Sequence, residues 1–183
     1  MNTKSSKMTQ LVVLSAVGTD RAGVVNDLSK VILDCGGNIE ESRMTVLGSE
    51  FAMLLLVSGN WATIGKLEKA LDKLAHDKPL TISIRKTDPR AAGVDRMPYG
   101  VDIVSLDQPG IVFNLANYFS SQGIEIADLS TRRYAAAHSG SQMFAVQMTI
   151  NVPASVSISQ LRDEFLELCD QLNLDAILEP VKG

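Results

Sequence analysis

Histidine and cysteine are nearly absent from this chain, with two of each in 183 residues. His76 and His138 leave a Ser–His or Cys–His catalytic pair few options, and no CxxC or Cys/His cluster offers the spacing of a metal site. Cys35 and Cys169 each sit among apolar residues in a helical pattern, as buried free thiols of a reducing, cytoplasmic compartment do. Long basic runs are lacking too. The formal net charge is −4, and the densest basic spots, Arg85–Lys86 and Arg132–Arg133, are pairs of the solvated kind. A protein that grips duplex DNA alone needs several clustered cations, so direct nucleic-acid binding is not expected. No apolar run approaches the length that spans a membrane. The N-terminus superficially resembles a secretion signal, but its apolar run is short and flows into a repeated unit whose second copy carries Asp102, so it reads as a ragged tail and then a strand.

What the sequence does hold is ordinary for a soluble globular protein, 45% hydrophobic and 21% charged. The length suits one large domain or two small ones, and a segment of roughly 80 residues buries only a marginal core. Two such segments are expected to lean on each other or on a partner. The sequence is in fact written twice. GTDRAGVVNDLSKVILDCGGNI (18–39) returns as SLDQPGIVFNLANYFSSQGIEI (105–126), with Asp20 on Asp107, Gly23 on Gly110, Leu28 on Leu115, Gly36 on Gly123 and Ile39 on Ile126.

In the first copy LVVLSAV (11–17) has strand length, and a helix from about 22 to 35 places Val24, Val25, Leu28, Val31, Ile32 and Cys35 on one face before Gly36–Gly37 stop it. Residues 38–59 read as two strands joined at Leu47–Gly48–Ser49. A helix over 61–76 and a closing strand over 79–86 follow. TDPRAAGVDRMP (87–98) has no periodicity and reads as a linker. The second copy then runs through a strand at 99–106, a helix at 109–122, strands at 124–135 and 142–150, a helix at 157–172 and a strand at 174–181, with AAAHSGS (135–141) as an inserted hairpin tip. The expected organisation is a disordered tail (1–9), one module at 10–86, a linker at 87–98 and a second module at 99–183. Each module is α+β in the order βαββαβ, the ferredoxin-like arrangement, with two helices on one face of a four-stranded antiparallel sheet. FAMLLLV (51–57) is apolar at every position, as in a strand buried on both faces. Helices cover one face only, so the other is expected to meet another copy of the chain, as in a homo-oligomer.

The repeated turn carries the chemistry. A helix N-terminus presents free N–H groups and the positive end of its dipole to an anion. Gly23 and Gly110 have no Cβ to obstruct a ligand, and Asp20 and Asp107 can accept hydrogen bonds from an ammonium. Together these complement an amino-acid zwitterion, with Asn38 or Glu125, placed near this end of the helix, adding a polar contact. The plainer alternative is that Asp20 and Asp107 cap the helices and Pro109 is a first-turn residue. On spacing alone both readings stand.

The βαββαβ order, the DRAGVV and DQPGIV turns and the helix-ending glycines resemble those of ACT domains, regulatory modules that bind small ligands, usually amino acids. The resemblance covers both repeats, about residues 10 to 182. Residues 35–61, CGGNIEESRMTVLGSEFAMLLLVSGNW, more specifically resemble the glycine cleavage repressor family of tandem ACT proteins. That resemblance implies a non-enzymatic protein without a cofactor or a DNA-binding domain of its own, which represses through a DNA-binding transcriptional activator and is relieved by glycine. ACT ligands typically sit where one module's first turn meets a neighbouring module's second strand. Carried over, this points to Asp20, Arg21, Ala22, Gly23, Val24, Asn38 and Ile39, and in the second copy to Asp107, Pro109, Gly110, Ile111, Glu125 and Ile126. Ala22 stands where Pro is common in the family.

Three rivals remain. A small ferredoxin-like hydrolase needs a positioned Arg and Asn, for which Arg21 and Asn38 are the conceivable pair. The adjacent acids Glu40–Glu41 and Asp163–Glu164 point apart as solvated charges. RNA-binding modules of the same topology stack bases on sheet aromatics, whereas the third strands here are aliphatic and Phe51, Phe144 and Trp61 suit a core. A ligand-free scaffold for protein interactions is the third.

Overall fold

The structure, a computed structural model, describes residues 9–89 and 95–181. Most of the expected tail, residues 90–94 of the expected linker and residues 182–183 lie outside the described residues. The chain divides into two compact units, Met1–Ala91 and Ala92–Gly183.

The first unit runs β1 (Gln10–Thr19), α1 (Val24–Asp34), β2 (Asn38–Leu47), β3 (Glu50–Gly59), α2 (Trp61–Asp77) and β4 (Leu80–Thr87). Its sheet has the order β2-β3-β1-β4, antiparallel throughout. Alternation decides the faces. Val12, Leu14 and Ala16 of β1 and Phe51, Met53, Leu55 and Val57 of β3 are buried against Val24, Leu28 and Ile32 of α1 and Ile64, Leu67 and Leu71 of α2. Gly36, at φ 79°, ends α1 in the left-handed conformation that favours glycine, and the Gly36 and Gly37 N–H groups return to the Leu33 and Ile32 carbonyls. Gly48–Ser49 joins β2 to β3.

The second unit repeats this plan as β5 (Arg96–Leu106), α3 (Ile111–Ser121), β6 (Glu125–Ala135), β7 (Gln142–Pro153), α4 (Ile158–Gln171) and β8 (Asp175–Pro180), in the order β6-β7-β5-β8. Phe119, Phe165 and Tyr118 stack in its core with ring centroids 5.2 to 5.7 Å apart. Both units are ferredoxin-like. β5 begins three residues ahead of the expected 99, because β7 extends to Pro153 and gives Arg96, Met97 and Pro98 partners.

Phe51, Met53, Leu55 and Val57 of FAMLLLV are buried, while Leu54, on the face that no helix covers, is 51% exposed. Two expectations about apolar residues need correction. Trp61 is 77% exposed and forms no lid over the core. It is the first residue of α2, ahead of the inward stripe that begins at Thr63 and Ile64. Cys169 is buried but Cys35 is only half-buried. Desolvation raises both thiols, Cys169 to about 11, so neither is poised as a thiolate.

Candidate functional site

In each copy the first strand leaves the sheet through an Asp whose backbone N–H donates to the start of the neighbouring strand: Asp20 to the Ser49 carbonyl and Asp107 to the Gln142 carbonyl, both at 2.9 Å. Three residues later the chain turns through a glycine with φ near 90°, Gly23 at 89° and Gly110 at 91°, and these glycines are the N-caps of α1 and α3. The glycine is therefore required by the backbone. A Cβ at Gly23 would approach only Arg21 Nη1 at 3.9 Å, and one at Gly110 only Asn114 Nδ2 at 3.8 Å.

This geometry also removes the capping alternative. The cap position falls on Gly23 and Gly110, not on the acids, and neither helix start has a side-chain cap hydrogen bond among the described residues. Pro109 precedes the cap and lies outside the first turn. By contrast Asn60 caps α2 by accepting from the Thr63 N–H at 2.9 Å.

The two mouths differ in charge. In the first, the Arg21 guanidinium crosses to the Asp27 carboxylate, and this hydrogen bond holds the Asp27 carboxyl below its ordinary range. The Asp20 side chain has no hydrogen bond or ion pair among the described residues. In the second, Gln108 and Asn114 replace Arg21 and Asp27. Gln108 Nε2 donates to the Leu172 carbonyl at 2.9 Å, and Asp107 is paired with Arg133 Nε of β6 at 2.8 Å. Arg133 lies opposite Phe144. Val46, opposite Phe51, occupies the matching place in the first unit, so Asp20 has no such partner. Arg133, read as half of a solvated pair, is a residue that sequence reasoning missed; its contact depends on strand register and leaves no local signature.

Asn38 and Glu125 are not near these mouths. α1 carries the chain back along the sheet for 11 residues, roughly 16 Å of helix, and Asn38 pairs with Ser58 at the far end of β3, whereas Asp20 meets Ser49 at the near end. Glu125 likewise pairs with Asn151. Within one unit no amino acid can touch both the turn and this residue. Val24 and Ile111 are 3% exposed and belong to the core, so only backbone is available there. Ala22, Gly23, Pro109, Gly110 and Ile39 are exposed, and Ile126 is partly buried against the core.

At that far end the structure shows a cluster the sequence did not announce. Both second strands bulge one residue after the Ile, between Ile39 and Glu41 and between Ile126 and Asp128. In the first unit the bulged residue is Glu40, whose Oε1 accepts from Ser58 Oγ and from Asn38 Nδ2 at 3.0 Å. These bonds, Ser58 first, hold the Glu40 carboxyl below its ordinary range. In the second unit the bulge carries Ala127, and Glu125 pairs with Arg96 at 2.6 Å.

Arg21 and Asn38, the conceivable hydrolase pair, are engaged with Asp27 and Glu40 and are not brought together. Phe51 is fully buried on the helix-covered face and so is not displayed for base stacking. Two concavities of about 360 and 350 Å³ lie in the second unit, one lined by residues including Cys169, Asp170 and Ile177 and one by residues including Ser130, Arg132 and Gln147. Neither includes a turn residue.

Comparison with known proteins places these features. The ACT domain family matches residues 10–85. The glycine cleavage system transcriptional repressor of Escherichia coli K12 is 29% identical over 170 residues, covering 93% of this chain and 90% of that protein. A UPF0237 protein of Methanopyrus kandleri is 35% identical over 83 residues, covering 44% of this chain and 91% of that protein. Among solved structures, a protein assigned as a glycine cleavage system transcriptional repressor superposes with a TM-score of 0.74 at 29% identity, covering 96% of this chain and 99% of that one.

Proposed function

This chain belongs to the tandem ACT-domain proteins, and from that premise we propose that it is a cytoplasmic, non-enzymatic, amino-acid-responsive repressor of the glycine cleavage type. The observation that carries the reading is Asp20. It stands unpaired among the described residues, three residues ahead of a helix start whose cap, Gly23, makes no side-chain cap hydrogen bond, an arrangement that suits the ammonium and carboxylate of one small zwitterion. Its likeness to the repressor relatives extends through both units, and a regulatory role follows for the chain as a whole. Glycine is the first ligand to test. Since Asp20 and Asn38 lie at opposite ends of one unit, a ligand that touches both a turn and a second strand must be completed from outside the unit, which fits a homo-oligomer.

Ligand binding would act as a population shift, changing affinity for a DNA-binding activator partner by no more than the ligand's differential affinity for the two states. In the second unit the Asp107–Arg133 ion pair favours a different role, that of a ligand-free interaction platform. The test is a thermal-shift and calorimetric scan of the full chain against glycine, serine, alanine and other amino acids, followed by capture of the activator with and without the ligand found. A ligand at 100 times its Kd stabilises by about 2.7 kcal/mol. No shift with any amino acid refutes the sensor. Sequence-selective DNA retention by the chain alone, at physiological salt, refutes the need for a partner.

A further inference from the structure

β4 and β8 end the two sheets, each paired with a neighbouring strand along one side only among the described residues, and the free side of an edge strand is a template for another strand. The two edges carry opposite charge. β4 runs into Arg85–Lys86, whereas β8 carries Asp175 and Glu179 at the places of Thr81 and Arg85. A concavity of about 360 Å³ lies beside β8 and is lined in part by Asp102, Asp170 and Asp175. Arg85, Lys86, Asp170 and Asp175 have no ion pair among the described residues. Backbone phase and side-chain face then select one register. The Val181 N–H donates to the Pro98 carbonyl at 3.1 Å, so the odd-numbered residues of β8 bond inward to β5, and the N–H and C=O groups of Ala176 and Leu178 point out of the edge. By the repeat, the matching residues of β4 are Ile82 and Ile84. Outward-pointing residues must stand opposite one another in an antiparallel ladder. Setting Ile82 against Leu178 and Ile84 against Ala176 meets that condition, pairs all of β8 with Leu80–Arg85 and keeps the helix-covered sides together. The same register puts exposed Arg85 opposite exposed Asp175 on the open face, and carries Lys86 to the helix side opposite Leu174, which lines the concavity with Asp170.

We propose that β4 of one copy of this chain pairs antiparallel with β8 of a second copy in this register, with Arg85 and Asp175 as the charge pair that sets it. The proposal is independent of ligand binding. A chain is ill suited to pairing its own two edges this way. Thr87 would stand level with Leu106, at the opposite end of β5 from Arg96, roughly 33 Å along the strand and about 10 Å across it. The nine steps from Thr87 to Arg96 reach at most about 32 Å when fully extended. A second copy has no such tether. Each copy carries one edge of each kind, so two copies satisfy both edges reciprocally and leave neither to recruit a third.

The experiment is sedimentation velocity of the full chain over a concentration series, together with amide hydrogen exchange. The wild type is expected at twice the 19.7 kDa of one chain, with the outward amides of Ile82, Ile84, Ala176 and Leu178 protected. Arg85→Glu places like charges opposite one another and should weaken association by roughly tenfold or more while releasing that protection. Asp175→Arg should do the same. Both changes in one chain restore opposite charges at each seam, and association should return to near the wild-type level. Arg43→Glu, on the other edge strand of the first unit and 74% exposed, should leave association unchanged. A monomeric wild type overturns the proposal, as does a dimer that Arg85→Glu leaves intact or one whose four outward amides exchange freely. A double variant that associates as weakly as the single ones also overturns it, because the two charges then do not face each other.

Discussion

Truncating the two repeated acids, Asp20→Ala and Asp107→Ala, should separate ligand binding from folding, because the structure pairs Asp107 with Arg133 and gives the Asp20 side chain no partner among the described residues. Neither is a helix cap; Gly23 and Gly110 are. If Asp20 were a cap, its loss would cost about 1 kcal/mol, which lowers the Tm of a domain of this size by about 4–8 °C. As a side chain without a partner, it should cost no more than about 0.5 kcal/mol. Its effect should appear only with ligand. The loss of a charge-assisted bond weakens binding by roughly 100-fold at the upper end. A concentration that was 100 times Kd becomes equal to it, and stabilisation falls from about 2.7 to about 0.4 kcal/mol. Asp107→Ala should do the reverse. It removes a partly exposed pair with Arg133, side chains 28% and 63% exposed, worth at most about 1 kcal/mol, and leaves the ligand response intact. Thermal unfolding of both variants, with and without glycine, reads all four quantities. A Tm drop of several degrees in ligand-free Asp20→Ala, tracking the loss of response, would refute the reasoning and return the acid to structure.

Gly18→Ala should be among the most damaging single changes in the first unit, by about 1–3 kcal/mol in chemical denaturation, because a Cβ there meets the Pro79 carbonyl oxygen at 2.2 Å. Gly65→Ala, inside α2 with open space around the added methyl, should instead stabilise by about 0.5–1 kcal/mol, and a lower Tm would contradict it. Burial raises Tyr118 to about 12 while its hydroxyl donates to the Leu161 carbonyl at 3.2 Å. A raised folded value means that stability present below pH 10 is lost as pH climbs toward 12, so the second unit should weaken there and Tyr118→Phe should flatten that limb of the pH profile. Asp27 and Glu40 have lowered values, so their contribution is present above the ordinary carboxylate range and disappears as pH falls below it; Asp27→Asn should reduce the acid-side slope.

How much of this was legible in the sequence depended on whether a feature leaves a residue type behind. Positive φ demands glycine, so the turns at Gly23 and Gly110 and the helix ends at Gly36 and Gly123 could be placed closely. Alternation of buried residues revealed the strands, and the inserted tip after β6 showed as an offset between copies. The cap was misplaced because its position is set by which residue first leaves helical φ and ψ, and an Asp three residues ahead looks the same on paper. The bulge at Glu40 has no sequence mark; one extra residue in a strand changes register without changing composition. Arg133 and Asp107 meet only because β6 and β7 pair in one register and not another. Asn38 was set near the helix mouth because sequence order brings it soon after α1, whereas the helix carries it to the opposite end of the sheet.

The duplication itself supplies the last step. Positions whose residue the backbone or core dictates recur in both units: Gly23 and Gly110 at φ near 90°, Leu28 and Leu115 fully buried. Positions whose contacts are discretionary have changed together, Arg21 and Asp27 to Gln108 and Asn114, Asn38, Glu40 and Ser58 to Glu125, Ala127 and Asn151. Asp20 and Asp107 belong to neither class. The backbone uses only their N–H, which any residue but proline could donate, yet both are aspartate. In the second unit Arg133 accounts for the acid. In the first, no described residue pairs with it, and the ligand proposed above is what the Asp20→Ala comparison tests.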